Sequence, residues 1–392
     1  MIRLLINGLA ASAGGGLTYL RNVIPHLSQR VDAETTVLLN AAIRQEFGPL
    51  PNISFVEAAE NSGPLRRFVS EQTELPRVIR QSGAQILISA GNFALWNSPI
   101  PQILLSRNSL YVSDDFRRDL RSRGAYALLI DTWIKGWLAR RSIIRSDLTV
   151  APSDAFARQL SHWSGRRVLP VYHGFDAEAF TSDITPLPST VEEQLRPEQG
   201  TLRLLFVSHY NYYRNFETLF RAMPILNHRL KKRVKLFLTC HLKSGNNPGN
   251  YRTHSAAALA NTLREHQNIV ELGMVPYRSL HLLYRACNVY VTPAYAESFA
   301  HPLIESMSSG LPVVASDLAV HREICGDAAV YFPRFSPEAL AEQVLRVDES
   351  PKLAQSLSCN GLQRSRDFSW SDHVERLVGL AHDLLPSGRE RN

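Results

Sequence analysis

Two glutamates with seven residues between them, Glu297 and Glu305, are the strongest candidates for chemistry in this chain. Pro302 is suited to the first turn of a helix, so the sequence predicts that Glu297 lies in a loop and Glu305 about one turn into the helix. Four loop residues are predicted to offer their backbone N–H groups to one point: Ser298, Phe299, Ala300 and His301. Carboxylates accept hydrogen bonds from hydroxyl groups, and N–H groups donate to phosphates. A sugar joined to a nucleoside diphosphate requires this combination.

A cation follows another predicted strand, Leu204–Ser208. His209, Arg214 and Asn215 lie between this strand and a predicted helix at Phe216–Asn227. A positive charge at a strand end, just before a helix N-terminus, is well placed to hold a diphosphate. The alternative interpretation is a solvated arginine among surface tyrosines.

Three consecutive glycines, Gly14, Gly15 and Gly16, precede a predicted helix at Leu17–Gln29. Such glycines let backbone N–H groups approach a phosphate at the start of a helix. The dinucleotide spacing G-x-G-x-x-G is absent, and Asn40 stands where an acid would follow the second strand, so an NAD site is not supported. A tight turn and an anion or acceptor contact both stay open.

The hydrophobic pattern predicts the elements that carry these loops. Short apolar strands with little polar alternation are separated by helices, and this alternation predicts parallel sheets covered on both faces. One of the predicted helices in the second half of the chain is His254–His266. Thr181–Gly200 has the Pro, Ser and Thr content of a linker. A chain of 392 residues suits two domains. We therefore predict an α/β protein with two doubly wound domains, 1–177 and 201–371, facing a cleft and joined by a linker at 178–200. Ligands bind such sheets at the carboxyl ends of their strands.

The chain carries 43 Lys and Arg against 36 Asp and Glu, a net charge of +7, and most of this excess is local. In the predicted helical region Asp114–Arg145, the part from about 117 to 145 has eight basic residues against Asp119 and Asp131. The basic residues are Arg117, Arg118, Arg121, Arg123, Lys135, Arg140, Arg141 and Arg145. Tryptophans at 133 and 137 lie among them, a composition typical of a helix on an anionic membrane surface. A domain helix with a buried apolar stripe is the alternative. No nucleic-acid-binding module is present, which disfavours an RNA or DNA partner.

Other features narrow the class of protein. The four cysteines lie far apart, so the sequence predicts no disulfide framework and favours a reducing compartment. No Asp-x-Asp motif occurs, and no metal or cofactor is expected. The first apolar run, Met1–Ile6, is too short for a signal peptide. Gln81–Ser106 carries no charge, but Gly, Asn and Pro residues interrupt it. Two buried strands and a loop are therefore predicted there, and not a membrane span.

The run Ala294–Ala315 resembles the signature of the retaining glycosyltransferases of family four, which have the GT-B fold of two Rossmann-like domains facing a cleft. The two glutamates alone recur often by chance, whereas the full run through Gly310-Leu311-Pro312-Val313-Val314 is far more specific. The resemblance extends over nearly the whole chain, including the glycine loop, Tyr172–Asp176 and Phe368-Ser369-Trp370.

The resemblance implies a role for each motif. Glu297 would contact the donor sugar and Glu305 the ribose, while Arg214 would hold the diphosphate. The loop Gly273–Val275 would lie against the base. The first domain would bind the acceptor, and the last helix, at about 372–385, would cross back onto it.

Two positions depart from the family pattern. Where the family commonly has an Arg and a Lys around the diphosphate, this sequence has His209 and Arg214, and His209 would supply a charge only when protonated. Where family members often have a histidine after the strand Gln102–Leu105, this sequence has Arg107 and Asn108, which become the candidates for substrate contact.

The resemblance implies transfer by a same-face displacement in which the leaving diphosphate helps to deprotonate the acceptor hydroxyl. The protein would position the reactants and stabilise the leaving charge, and this interpretation requires no divalent metal. We expect a cytoplasmic enzyme, peripheral to the inner membrane face, that transfers a sugar from a nucleotide sugar to an acceptor. A lipid-linked glycan in cell-surface polysaccharide assembly is the favoured acceptor.

Two other functions stay open on the sequence alone. A sugar-nucleotide epimerase of the same fold would use the same donor pocket without an acceptor, and a non-catalytic protein would bind the nucleotide sugar without turnover. The identity of the base, the sugar and the acceptor depends on the pocket around His173, Cys240, His241 and the glycine loop, and so does not follow from the motifs.

Overall fold

The computed structural model describes residues 1–11, 15–58, 64–230, 233–242, 261–262 and 268–385. Gly14 and the predicted helix His254–His266, apart from residues 261 and 262, lie outside the described residues. The strands are β1 (Ile2–Asn7), β2 (Ala33–Asn40), β3 (Ile53–Ala58), β4 (Ile86–Ser89), β5 (Gln102–Leu105), β6 (Leu148–Ala151), β7 (Val168–Pro170), β8 (Thr201–Phe206), β9 (Arg233–Leu238), β10 (Ile269–Glu271), β11 (Val289–Thr292), β12 (Val313–Ser316) and β13 (Ala329–Phe332).

The α-helices in the described part of the chain are named in chain order. They are α1 (Gly15–Ser28), α2 (Ala41–Arg44), α3 (Pro64–Ser82), α4 (Asp114–Ser122), α5 (Tyr126–Arg145), α6 (Asp154–Ser164), α7 (Ala177–Ser182), α8 (Ser189–Gln194), α9 (Phe216–Arg229), α10 (Leu280–Arg285), α11 (His301–Ser308), α12 (Ala319–Cys325), α13 (Pro337–Glu349), α14 (Pro351–Arg364) and α15 (Trp370–Leu384).

Two compact units divide the chain. Unit 1 holds Met1–Val112, Ala125–Gly174 and the chain from Ser369, and unit 2 holds Ser113–Gly124 and Phe175–Phe368. Each unit contains one sheet whose strands are all parallel, with the order β3-β2-β1-β4-β5-β6-β7 in unit 1 and β10-β9-β8-β11-β12-β13 in unit 2. The central strands β4, β5, β11 and β12 are buried at every residue, as expected for a sheet covered on both faces. The predicted α/β class is confirmed.

The C-terminal helix α15 belongs to unit 1. Its apolar side chains, among them Val374 and Leu377, join the core formed by β1 and α1. Gly174 lies against the start of this helix so closely that a Cβ there would be 2.1 Å from the backbone nitrogen of Trp370. Glycine is therefore required at residue 174, because the start of α15 packs directly against its backbone.

The segment 178–200, predicted as a linker, contains α8 and most of α7 and lies in unit 2. The Phe180 ring packs against Phe175 and Tyr277, each with ring centroids 5.3 Å away, and Val191 is buried. A few apolar residues are enough to attach this Pro-containing segment to the unit, because their side chains are buried.

The predicted helical region Asp114–Arg145 is two helices. Helix α4 ends before Gly124, which has a φ of +67° that favours glycine, and α5 begins at Tyr126. The first of these helices lies in unit 2, whereas the domain prediction placed it within 1–177. Its side chains make ion pairs with unit 2 that account for this position, as described below.

The uncharged stretch Gln81–Ser106 contains strands β4 and β5, which confirms the prediction of two buried strands. Among the described residues, no helix combines the length and the apolar character needed to cross a bilayer.

Candidate functional site

The carboxyl ends of β8 and β11 bring together two of the predicted residues. Arg214 ends a 3-10 turn that follows β8, and Glu297 lies in the loop after β11. Nη1 of Arg214 donates a hydrogen bond to Oε1 of Glu297. The two side chains are 17% and 9% exposed, so this ion pair is largely shielded from water. The site therefore holds a cation and a carboxylate in contact at the edge of the sheet where ligands bind.

The groups around Arg214 determine how its guanidinium is packed and how it affects the neighbouring His209. Its guanidinium lies over the Tyr213 ring, 4.8 Å from the ring centroid, and its Nε is buried without a hydrogen-bond partner in the described structure. Partial desolvation of the ring, and then the charge of Arg214, lower the pKa of His209. His209 is thus neutral near pH 7 beside Arg214, and does not add a second positive charge of its own.

Asn215 fixes the loops around the arginine. Its backbone is left-handed, with a φ of +56°, and it is the residue before helix α9. The side-chain amide donates to the carbonyl oxygens of Pro293 at 3.0 Å and Arg334 at 2.6 Å, while its oxygen accepts from Thr218 at 2.9 Å. Because both amide hydrogens are used within the protein, the side chain of Asn215 joins three loops of unit 2.

The second glutamate lies one turn into α11 and is buried. Oε2 of Glu305 accepts a hydrogen bond from the Tyr284 hydroxyl at 2.8 Å. Burial raises the pKa of Glu305 from its ordinary value of 4.5 to about 7, against the opposing effect of the Tyr284 hydrogen bond. This carboxyl group therefore exchanges its proton near neutral pH.

The loop Ser298–His301 turns sharply into α11. Ala300, the residue before the helix, has a φ of +67°, and Pro302 lies in the first helical turn. The Phe299 ring is buried between the rings of Phe368 and His301, with centroids 5.6 and 4.9 Å away. The predicted position of Glu297 in the loop and of Glu305 one turn into the helix is confirmed. A left-handed alanine costs about 1–2 kcal/mol, and such strain is concentrated at functional sites.

The loops after β9 and β10 meet at Gly273. A Cβ at this glycine would be 2.6 Å from Nε2 of His241, so the imidazole covers the backbone there. Val275 is buried, and Nδ1 of His241 lies 3.7 Å from Oε2 of Glu271. The predicted base-binding loop is thus in contact with an exposed histidine from the neighbouring strand end.

Arg107 and the glycine loop come together in unit 1. The guanidinium of Arg107 donates to the carbonyl oxygen of Ala90 and, at 3.4 Å, to that of Gly15, and it lies over the Tyr19 ring at 4.7 Å. Gly15 opens α1, and a Cβ at Gly16 would be 3.1 Å from the Cα of Ala11. A fixed positive charge therefore lies beside the start of α1.

The side chain of Asn108 has a local role. Its Oδ1 accepts from the backbone N–H of Leu110 at 3.0 Å and begins a 3-10 turn. Oδ1 of Asn92 in turn accepts from the N–H groups of Arg107 and Asn108. The strand end after β5 is therefore stiffened by two asparagines.

His173 lies in an aromatic cluster of unit 1 with Tyr19, Trp370 and His373. Nδ1 of His373 donates to the carbonyl oxygen of Tyr172 at 2.7 Å, and its Nε2 accepts from the Tyr19 hydroxyl at 3.0 Å. Burial lowers the pKa of His373 to about 4, so this ring is neutral. Tyr19 and His373 were not among the residues predicted from the sequence. Their sequence positions could have indicated them, because Tyr19 follows the glycine loop and His373 lies on the helix that was expected to cross back onto the first domain.

Among the described residues, no group of three or more His, Cys, Asp and Glu side chains is arranged to hold a metal ion. The candidate site of unit 2 includes the Arg214–Glu297 pair, the buried Glu305 and the loops that carry them.

The segment that carries these residues matches a known protein family. Residues 189–364 match the family described as glycosyl transferases group 1. The matched segment includes Arg214, Glu297 and Glu305, and both strands, β8 and β11, whose ends bring the first two together.

Proteins that are similar in sequence to this chain include two with the names of enzymes. O-antigen chain mannosyltransferase B of Escherichia coli is 32% identical over 114 residues, which are 29% of this chain and 30% of that protein. The D-inositol 3-phosphate glycosyltransferase of Thermobifida fusca is 28% identical over 259 residues, which are 61% of this chain and 56% of that protein. The chain thus matches between about a third and just over half of the length of these relatives.

A solved structure matches nearly the whole chain. HepE of Anabaena, in complex with UDP-glucose, superposes with a TM-score of 0.71 over 98% of this chain and 100% of that chain, at 15% identity. The chain has the GT-B fold. At this identity the likeness concerns the fold alone.

Proposed function

We propose that this chain is a retaining glycosyltransferase of the family-four type that uses a nucleoside diphosphate sugar as donor. The contact between Arg214 and Glu297 at the carboxyl ends of β8 and β11 carries the proposal. A guanidinium held there can pair with a diphosphate, and a carboxylate can accept hydrogen bonds from sugar hydroxyls. The family match over residues 189–364 and the UDP-glucose in HepE support this assignment.

In the proposed reaction, the bond between the anomeric carbon and the diphosphate oxygen breaks as the acceptor oxygen attacks from the same face. The acceptor proton passes to an oxygen of the leaving diphosphate, and Arg214 stabilises the charge that develops there. Glu297 orients the sugar, and Glu305 binds the ribose. No step of this reaction uses a divalent metal, and we expect transfer to persist in EDTA.

We place the acceptor at unit 1, where Arg107 and the start of α1 lie together. The relatives named for O-antigen chains and for inositol 3-phosphate support a glycan or phosphorylated acceptor, and a lipid-linked glycan in polysaccharide assembly is our preferred candidate. A positive charge beside a helix start suits an acceptor that carries phosphate.

The exposed face of α5 supports a peripheral position at the inner face of the membrane. We define the α5 surface as the exposed large apolar residues of this helix up to Trp137 and the two exposed arginines next after them: Tyr126, Ile130, Trp133, Ile134, Trp137, Arg140 and Arg141. These residues recur at helical spacing, and Trp133 and Trp137 are 71% and 54% exposed. Small residues such as Gly136 and Ala139 are buried on the opposite side. Aromatic residues on the outside, with arginines beside them, are the composition of a helix that lies in an anionic lipid interface.

The first experiment is a thermal-shift screen of the full chain against UDP, GDP, ADP and their hexose derivatives. We expect one nucleoside diphosphate and its sugars to raise Tm by mass action, and Arg214→Ala to reduce that shift strongly. Transfer to a glycan acceptor is expected to be lost in Arg214→Ala and in Glu297→Ala, with Glu342→Ala on the exposed face of α13 as the control.

The outcomes separate the competing functions. Isomerisation of the sugar when the donor is incubated alone would identify an epimerase, and tight binding without turnover over a broad acceptor panel would identify a binding protein. Full transfer activity in both Arg214→Ala and Glu297→Ala would overturn the site assignment.

A further inference from the structure

Helix α4 and the residue that follows it contact two loops and one helix start of unit 2 around the Arg214–Glu297 pair. Asp115 accepts a hydrogen bond from Nε of Arg334 at 2.6 Å, after β13. Asp119 accepts from the Tyr295 hydroxyl at 2.7 Å, after β11. Arg123, at the end of the helix, donates through Nη1 to Oε1 of Glu217 at 2.7 Å, in the first turn of α9. One helix therefore contacts the chain on both sides of the candidate site.

Arg123 makes the densest of these contacts. Nη2 donates to the second oxygen of Glu217, so the pairing is bidentate, and Nε donates to Asp119 at 2.8 Å. The guanidinium also lies over the Tyr212 ring, 4.8 Å from its centroid. Tyr212 and Glu217 are two residues before and three residues after Arg214. Arg123 thus holds the chain on both sides of the arginine that we assign to the diphosphate.

The loop that carries Glu297 is held through Tyr295. While its hydroxyl binds Asp119, its backbone N–H donates to the carbonyl oxygen of Tyr213 at 3.0 Å. Tyr295 therefore joins α4, the 3-10 turn that ends at Arg214 and the loop before Glu297. Displacing the Asp119–Arg123 pair would loosen both loops together.

Two other arginines, in the first half of α4, form ion pairs with acids of the same helix. Arg117 donates to Asp114 and Arg118 to Asp115, both one turn earlier in the same helix. Arg123 and Glu217 are only 20% and 13% exposed. A largely buried bidentate pair adds geometric definition more dependably than it adds stability, since desolvation offsets much of the attraction.

We propose that Arg123, supported by Asp119, is a positioning residue that orients Arg214 toward the diphosphate and Glu297 toward the donor sugar. The inference rests on the proposed function, and it names residues outside the family match over 189–364. It assigns helix α4, which precedes that segment by more than sixty residues, to the donor side of the reaction.

The test compares UDP with uridine, or GDP with guanosine or ADP with adenosine if the screen selects another base. Arg123→Gln should weaken nucleoside diphosphate binding about tenfold, the size expected for a misplaced charge-assisted contact, and leave nucleoside binding unchanged. In an Arg214→Ala background, Arg123→Gln should add nothing to the loss. Arg121→Gln, an exposed change of the same charge on the same helix, is the control.

Two further variants keep the test decisive if Arg123→Gln does not fold. Arg123→Lys retains the charge but not the bidentate geometry, and Tyr295→Phe removes only the hydroxyl bond to Asp119. Each should weaken diphosphate binding several-fold, with a urea midpoint close to that of the wild type. Equal losses for diphosphate and nucleoside, or an additive loss in the Arg214→Ala background, would show a merely structural role. Failure of the wild type to bind UDP, GDP or ADP would instead overturn the proposed function.

Discussion

Arg214 and Glu297 are ion-paired, so a diphosphate has to compete with Glu297 for the guanidinium. Replacing Glu297 with Gln removes the competing charge and keeps the shape of the side chain. We expect Glu297→Gln to bind the selected nucleoside diphosphate about fivefold more tightly, the size of a partly shielded ion pair, while sugar transfer is lost. Isothermal titration measures the first effect and a transfer assay the second.

The control for this prediction is Glu342→Gln, an exposed carboxylate of unit 2 whose replacement changes the net charge equally. Weaker diphosphate binding in Glu297→Gln than in the wild type would contradict the competition between the carboxylate and the diphosphate.

Glu305 links the site to pH. Burial raises its pKa from 4.5 to about 7 in the folded chain, so the folded state retains a proton that the unfolded state loses as pH rises between these values. Its contribution to the free energy of unfolding is therefore present below about pH 4.5 and falls, by at most about 3 kcal/mol, toward pH 7. Glu305→Gln keeps an acceptor for Tyr284 and removes the titration. The variant should gain stability relative to the wild type between pH 5 and pH 8, measured by urea unfolding.

Glu71 also has a pKa raised to about 7 by burial, which makes the difference between variant and wild type the informative quantity. A difference in unfolding free energy that is equal at pH 5 and pH 8 would show that Glu305 is ionised throughout.

Residue types could be predicted from the sequence, whereas their pairing and charge state could not. The spacing of Glu297, Pro302 and Glu305 predicted loop and helix correctly, because helix starts are encoded locally. The Arg214–Glu297 contact joins residues 83 positions apart, and depends on β8 and β11 being neighbours. The neutral state of His209 likewise depends on the tertiary environment of the ring.

Among the elements, α5 shows why a correct helix prediction left its partner undecided. The same periodic Trp and Ile residues would suit a buried stripe or an exposed one. Packing decides, since Gly136, Ala139 and Ser142 face the unit and let the helix approach closely, while Trp133 is exposed. Hydrophobic periodicity identifies a face but not what covers it.

The junction between Gly174 and α15 gives a prediction at the same scale. A Cβ at residue 174 would overlap the backbone of Trp370 and Ser369, which cannot rotate away. Gly174→Ala should therefore lower the free energy of unfolding by about 3 kcal/mol, at the upper end for overpacking. Gly379→Ala is the matched control, because its Cβ meets open space in the middle of α15 and should stabilise by about 1 kcal/mol. Equal urea midpoints for the two variants would refute the close approach.

For the molecule as a whole, two parallel sheets followed from the alternation of strands and helices. The membership of the units did not follow from that alternation, and the place of α15 on the first domain was expected from the family resemblance alone. Helix α4 lies in unit 2 and α15 in unit 1, each away from its neighbours in sequence. Long-range pairs such as Arg123–Glu217, and the apolar side of α15, determine these positions. Local patterns predict elements, whereas the assignment of an element to a unit depends on contacts between distant residues.

The net charge of +7 is a property of the whole chain that the structure makes local. In α4, Arg117 and Arg118 are paired with acids, and so is Arg123 directly after the helix. Their charges are therefore largely compensated and contribute little to attraction toward an anionic surface. Arg140 and Arg141 are exposed beside the apolar part of the α5 surface. The attraction to anionic lipid should therefore depend on these two arginines and much less on the basic residues of α4.

We expect the protein to bind vesicles that contain phosphatidylglycerol and to leave neutral phosphatidylcholine vesicles unbound at the same lipid concentration. Each arginine near an anionic surface contributes about 1 kcal/mol, so Arg140→Gln with Arg141→Gln should weaken binding about thirtyfold in a sedimentation assay. Arg166→Gln with Arg167→Gln makes the same charge change at an exposed turn of unit 1 and should leave binding close to that of the wild type. Since the apolar part of the α5 surface would enter the lipid, Trp133→Ser should weaken binding even at low salt, where electrostatic attraction is strongest. Equal binding by the two double variants would show that net charge alone, and not the α5 surface, attracts the chain to lipid.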